Sequence, residues 1–437
     1  MEWWSILLLI FGGLIVLMAL GLPAAFCFLA VNVVGVFFLW GGEAGLMQLT
    51  YSITGSVATF KLLPLLLFIL MGEVMFQSGV IPHMMDALDK WIGRMPGRLG
   101  LLAVGGGIIF STLTGASMGS VAMLGSVLVP EMEKRGYKKT MSLGPILGSG
   151  GLAIMIPPSG LAVLMGAIGE ISIGQILIAI ILPGLLMAIL YATYIIGRSW
   201  LQPHMAPPYK VPATPFIVKL VATVRYILPI GIIIFLVVGV IFLGVATPSE
   251  AAATGALGTF MLALAYGRLS WRVMKNAVSG TLKVTIMMLL IIAGAGAFSQ
   301  ILAFSGAIKG LAGLAMGLHL PPIFILISIQ IILLFLGMFM SAVPIMMITI
   351  PMFVPIIITL GFSPVWFAVL FLLNIEMGTT TPPFGLSLFV MKSVAPPDTT
   401  IGDIYRAALP FLLCDAVAMA LIIIFPVIAL WLPNIML

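Results

Sequence analysis

Apolar runs of about twenty residues recur along this chain, at roughly 3–21, 23–40, 60–77, 174–197, 226–244, 249–266, 283–303 and 404–432. A helix of that length matches the hydrocarbon thickness of a bilayer, so an all-α polytopic membrane protein is expected. Composition agrees, since 62% of the 437 residues are apolar and only 7% are charged. A soluble domain carries about 25% charged residues. Soluble enzymes, nucleic-acid-binding modules, disordered hubs and disulfide scaffolds are therefore excluded together. The net charge of +6 bears on topology, because in membranes Lys and Arg decide which loops stay in the cytoplasm. Cys27 and Cys414 sit in apolar runs near opposite ends of the chain, and His83, His204 and His319 are scattered. Neither a disulfide framework nor a metal-ligand spacing is present. The start, Met1-Glu2-Trp3-Trp4, has no basic stretch, and its apolar run reaches Leu20 without a small-residue cleavage site. It reads as a first membrane helix, not a signal peptide.

Two further segments, 138–168 and 363–391, are long enough to span but are interrupted. The first contains Gly148-Ser149-Gly150-Gly151 and then Ile156-Pro157-Pro158-Ser159-Gly160; the second contains Gly378-Thr379-Thr380-Thr381-Pro382-Pro383-Phe384-Gly385. A Pro-Pro pair removes two backbone donors and cannot lie inside a continuous helix. Freed backbone at membrane depth is tolerated only against protein or a wet cavity. Before each broken segment lie two runs too short to span: 98–112 with 116–130, and 321–337 with 344–358. Each pair reads as a re-entrant helical hairpin, bounded at about 98–130 and 321–358. Small residues also serve plain helix packing, so the weight of the reading rests on repetition.

A shift of 225 residues places Pro130 on Pro355, Gly136 on Gly361, Pro157-Pro158 on Pro382-Pro383 and Gly160 on Gly385. Shortly after, Ile173-Gly174-Gln175-Ile176 meets Ile401-Gly402-Asp403-Ile404, and Pro183 meets Pro410. Interrupted segments in corresponding positions of two halves are the best sequence pointer to a transporter's binding site. Residues 1–197 form the first repeat and 226–437 the second, joined by a proline-rich cytoplasmic linker, 198–225. The first half counts an odd number of crossings, so the second enters from the other side and the repeats are expected to be inverted. With the N-terminus outside, 17 of the 19 basic residues fall on the inside, and only Lys61 and Lys309 fall outside, as the positive-inside rule demands. The stretches 43–57, 80–94, 268–281 and 306–318 are expected to be interfacial helices bracing a scaffold.

The tips are rich in hydroxyls and glycine and contain no carboxylate. Such neutral oxygens, with the carbonyls at half-helix ends, suit a hard monovalent cation such as Na⁺, while half-helix N–H groups suit an anion. One cation site is expected from Ser111, Thr114, Gly115 and Ser117 with Gly148, Ser149 and Gly151. The other is expected from Gly337, Met340 and Ser341 with Gly378, Thr379 and Thr381. Ser117, Ser159, Ser341, Thr380 and Asn374 are the candidates for substrate, and Pro157, Pro158, Pro382 and Pro383 keep the helices broken. Sodium is the only metal expected, and no cofactor is. Among the embedded acids, Glu376 is the best functional candidate. Asp415 and Glu73 are expected to hold helices together, and Glu250, after Thr247-Pro248-Ser249, to start one.

Taken in order, Ser111-Thr-Leu-Thr-Gly-Ala-Ser117, Leu128-Val-Pro-Glu-Met-Glu-Lys-Arg-Gly-Tyr137, Ile156-Pro-Pro-Ser159, Ala246-Thr-Pro-Ser-Glu-Ala-Ala-Ala253 and Glu376-Met-Gly-Thr-Thr-Thr-Pro-Pro-Phe-Gly385 carry a resemblance over essentially the full chain. It resembles the large membrane subunit of TRAP transporters, the tripartite ATP-independent periplasmic family. The resemblance implies an elevator-type, Na⁺-coupled importer in the bacterial inner membrane. Its organic acid would be delivered by a periplasmic binding protein. A separate small four-helix membrane subunit would brace the scaffold among the lipids, with no nucleic acid involved. Relatives often carry Ser-Gly-Ser-Ser at the first tip, where this chain has Thr114-Gly115-Ala116-Ser117, so residue 116 is no side-chain ligand. The competing reading is a divalent-anion/Na⁺ symporter of the same wider superfamily, which works without a binding protein. Its Ser-Asn-Thr tip signatures are missing here. A membrane hydrolase would need a Ser/His pair, paired aspartates or a His-Glu-x-x-His run, and none is visible.

Overall fold

The computed structural model describes residues 2–93, 95–114, 117–208, 214–317 and 320–436; the side chains at 19, 111–114, 312, 315 and 316 are not described. Every regular element among the described residues is helical. Among the described residues, seven helical segments are long and apolar enough to cross a membrane, or eight if the bent pair Lys139–Met155 and Gly160–Gly169 is one span. This is a multi-pass membrane protein.

Two helices form the centre. Lys139–Met155 is buried without interruption from Met141 to Met155, and Pro364–Thr380 from Val365 to Thr380. A helix packed on all sides needs no polar stripe, which lets these two carry Ser142, Ser149, Asn374, Glu376, Thr379 and Thr380 without exposing them to lipid. They pack on each other, and two hairpins wrap them. The first arms, Arg98–Thr114 and Pro322–Phe339, pack on the central helix of their own half. Each second arm also reaches the other half: Ser117–Lys134 packs on Leu386–Val394, and Ala342–Thr359 on Gly160–Gly169. Around this body stand Ala24–Leu39, Leu63–Gln77, Pro248–Ala265 and Trp271–Phe304, which pack chiefly among themselves.

The breaks lie later than the glycines suggest. Lys139–Met155 runs straight through Gly148–Gly151 and ends at Ile156, and the chain bends by 44° into Gly160–Gly169. Gly378, Thr379 and Thr380 likewise belong to the helix, which ends at Thr381. Glycine within a buried helix serves close packing here, and the proline pairs do the breaking. Both Pro157-Pro158 and Pro382-Pro383 bonds are cis.

Four other boundaries differ from expectation. The arms Pro322–Phe339 and Ala342–Thr359 have 18 residues each and pass the length and composition needed to cross. They are longer than expected because Met338 and Phe339 stay helical and the second arm already starts at Ala342, leaving Met340 and Ser341 as the link. The final run is broken by Pro426, giving Ile401–Ile424 and Val427–Asn434. Helix continues into the linker at both ends, to Leu201 and from Phe216, with two π-helical stretches before Phe242. Residues 271–281 are no separate interfacial helix but the start of the 34-residue Trp271–Phe304, so Lys283 lies inside a helix and not in a loop.

Candidate functional site

A cavity of about 1220 Å³ lies where both hairpin tips and both breaks meet the surrounding helices. From the tips come Ser117 and Ser341, from the breaks Pro158 and Thr379, and from the facing helices Glu73 and Lys283. Of the residues expected to meet substrate, Ser117 and Ser341 line it. Ser159 is turned away: its hydroxyl accepts from the Ala162 N–H at 3.4 Å and starts the helix Gly160–Gly169. Thr380 donates to the Met377 carbonyl at 3.1 Å, and the Asn374 amide donates to the carbonyl and side-chain oxygen of Gln330 at 2.8 and 2.7 Å. Asn374 thus ties the second hairpin to its central helix.

The first tip is met by a carboxylate. Ser117 donates to Glu376 Oε1 at 3.1 Å, and Thr379 approaches the same oxygen at 3.5 Å. Glu376 is 1% exposed, and its Oε2 is buried with no hydrogen-bond partner among the described residues. Room for it is made by Gly151, where a Cβ would lie 2.6 Å from Glu376 Cγ. This carboxyl belongs to neither tip: the side chain reaches the first tip from the other half of the chain. The sequence does hold a signal for this, since the 225-residue shift that pairs the prolines also pairs Gly151 with Glu376.

The remaining nominated residues divide by what they touch. Ser149 is buried and donates to Ile146 O of its own helix at 3.1 Å, while Gly148 faces Phe411. Thr379 and Thr381 donate to Glu376 O and Met377 O at 2.9 and 2.6 Å. Gly337 and Gly378 bring two backbones together, a Cβ on either lying 2.6–2.7 Å from the other's Cα. Met340 and Ser341 form the link at the second tip, with Met340 N–H bonded to Leu336 O at 3.0 Å. Ser111 and Thr114 have their side chains, and Gly115 its whole residue, outside the described residues. A hydroxyl that donates its hydrogen keeps lone pairs, so the hydroxyls present could serve a hard cation, and Glu376 Oε2, without a hydrogen-bond partner among the described residues, would be costly there as an unpaired charge.

The other acids singled out in the sequence meet different partners. Asp415 accepts from the buried Tyr191 hydroxyl, joining Ile401–Ile424 to Ile181–Leu201. Glu250 completes a capping box with Thr247 at the start of Pro248–Ala265. Glu73 is joined to Gln77 of its own helix at 3.4 Å and lies against Gly280 of Trp271–Phe304.

Against known families, residues 11–428 match the model of the tripartite ATP-independent periplasmic transporter, DctM component. The chain belongs to the TRAP transporter family as its large permease. It is 32% identical over 380 residues to the C4-dicarboxylate TRAP transporter large permease protein DctM of Pseudomonas aeruginosa, covering 86% of each. It is 27% identical over 431 residues to the sialic acid TRAP transporter large permease protein SiaM of Vibrio cholerae, covering 98% of each. Among solved structures, the YdaH transporter of Alcanivorax borkumensis superposes with a TM-score of 0.67 over 90% of each chain at 15% identity. That likeness shows a shared fold.

Proposed function

We propose that this TRAP permease imports an organic acid anion driven by Na⁺, receiving it from a periplasmic binding protein and working beside a separate small four-helix membrane subunit in the bacterial inner membrane. The observation that carries the reading is the convergence of both tips and both breaks on one cavity. Relatives named for C4-dicarboxylates and sialic acid support the solute class. The reciprocal packing of each second arm on the other half's broken helix supports two inverted repeats, and outer helices that pack chiefly among themselves support an elevator in which the central body moves. Of the two expected cation sites, the one at the Ser117 tip gains Glu376, which was not among its expected residues, and the other joins the Ser341 tip to Gly378 and Thr379.

Contacts between basic segments support a periplasmic N-terminus. Lys139 donates to Asp398 at 2.6 Å, the Lys138 N–H to Met205 O of the linker at 3.0 Å, and Arg268 meets His83 at 3.2 Å. Lys61, expected outside, lies with Glu170 and Glu250 around a separate cavity.

The test is uptake into proteoliposomes holding both membrane subunits. Uptake is expected only with an inward Na⁺ gradient and the binding protein together. Undiminished uptake without Na⁺ would reject the coupling, and undiminished uptake without the binding protein would favour the symporter reading.

A further inference from the structure

The cavity has two unlike walls. One, from the tips and the helices beside the breaks, carries the hydroxyl residues Ser117, Ser341 and Thr379 among apolar side chains; the other, built from Leu63–Gln77 and Trp271–Phe304, holds the only charged residues lining the cavity among the described residues, Glu73 and Lys283. Gly280 sets their placement. A Cβ there would lie 2.7 Å from Glu73 Cδ, so the carboxyl rests against bare backbone. Lys283, three residues on, shares that helix face. Yet no ion pair joins Lys283 to Glu73: the three ion pairs among the described residues involve other side chains. Lys283 is exposed, in a stretch that is otherwise apolar from Val284 to Ile291 apart from Thr285. An ammonium on such a wall needs water or an anion to offset the loss of hydration.

We infer that Lys283 is a solute-recognising cation, binding the carboxylate of the transported anion while the tip hydroxyls hold its other end. Glu73, fixed by Gln77, accepts a hydroxyl or amide hydrogen from the same solute. The inference rests on the transport reading and narrows it. The solute carries an anionic group toward the outer helices and hydrogen-bonding groups toward the tips. Because Lys283 stands on the wall facing the tips, it selects solute without being part of either cation site.

The test has two arms. In the full chain with its small subunit, Met287→Cys, which lines the same cavity wall one turn from Lys283, is labelled with an uncharged methanethiosulfonate, once with Lys283 kept and once with Lys283→Gln, against the background rate of the chain without the added thiol. Succinate or N-acetylneuraminate is expected to slow labelling with Lys283 kept and to lose that effect with Lys283→Gln, with no gradient imposed. Equal labelling behaviour of the two forms in the presence of the anions would overturn the inference. In the uptake assay, Lys283→Gln is expected to raise the half-saturating solute concentration roughly ten- to a hundredfold, the loss of one charged hydrogen bond. The Na⁺ dependence should be unchanged, and Lys283→Arg should restore uptake. Equal half-saturation in wild type and Lys283→Gln would show Lys283 to be a topological charge only. Loss of Na⁺ dependence in the wild type would count against the coupling while leaving the labelling result to stand.

Discussion

At the residue scale, Glu376 shows how a neutral position and a charged one complement each other. Its carboxyl occupies the space that Gly151 leaves, accepts from Ser117, and has one oxygen without a partner among the described residues. Glu376→Gln is expected to weaken the Na⁺ dependence of uptake while the protein still assembles. Unchanged Na⁺ titration would mean that the carboxyl only packs. Gly151→Ala should act on the same contact from the other side. Its Cβ displaces Glu376 at a cost of about 1–3 kcal/mol, read as a lowered midpoint of thermal unfolding.

At the element scale, the second hairpin is held to its central helix by backbone contact at Gly337 and Gly378 and by the Asn374–Gln330 hydrogen bonds. Gly378→Ala forces the two backbones apart and should destabilise by about 1–3 kcal/mol or more. Gly12→Ala, with nothing within 4 Å of its new Cβ, should stay within about 0.5 kcal/mol. Equal melting of the two variants would refute the close-packing role. Outside the membrane, Lys139 joins the start of one central helix to the turn at Asp398, and its hydrogen bond holds that carboxyl below the usual range. A carboxylate with a depressed value stabilises above its unfolded pKa of about 3.9 and loses that contribution as pH falls through the folded value. Melting curves of wild type and Asp398→Asn should therefore differ near neutrality and converge at low pH.

At the scale of the whole molecule, one place where the central body touches the outer helices is Gly160 beside Leu65, where a Cβ would lie 3.3 Å from Leu65 Cδ1. If the body moves as a lift, a thiol cross-link between Leu65→Cys and Gly160→Cys should stop uptake, and reduction should restore it. Full uptake by the cross-linked protein would rule out relative motion at this contact.

The span lengths, the paired interruptions and the hydroxyl-rich tips were legible in the chain alone, because hydrocarbon thickness and proline chemistry act on local sequence. What each polar group touches was not. Gly148–Gly151 reads as a break until the neighbours that press on it are known, and nothing in the spacing tells that Thr380 donates to Met377 or that the Asn374 amide donates to Gln330. The union of Ser117 with Glu376 and the placement of Lys283 on the wall facing the tips depend on how distant helices pack. Sequence spacing encodes neighbours along a helix, whereas contacts between helices come only from tertiary packing.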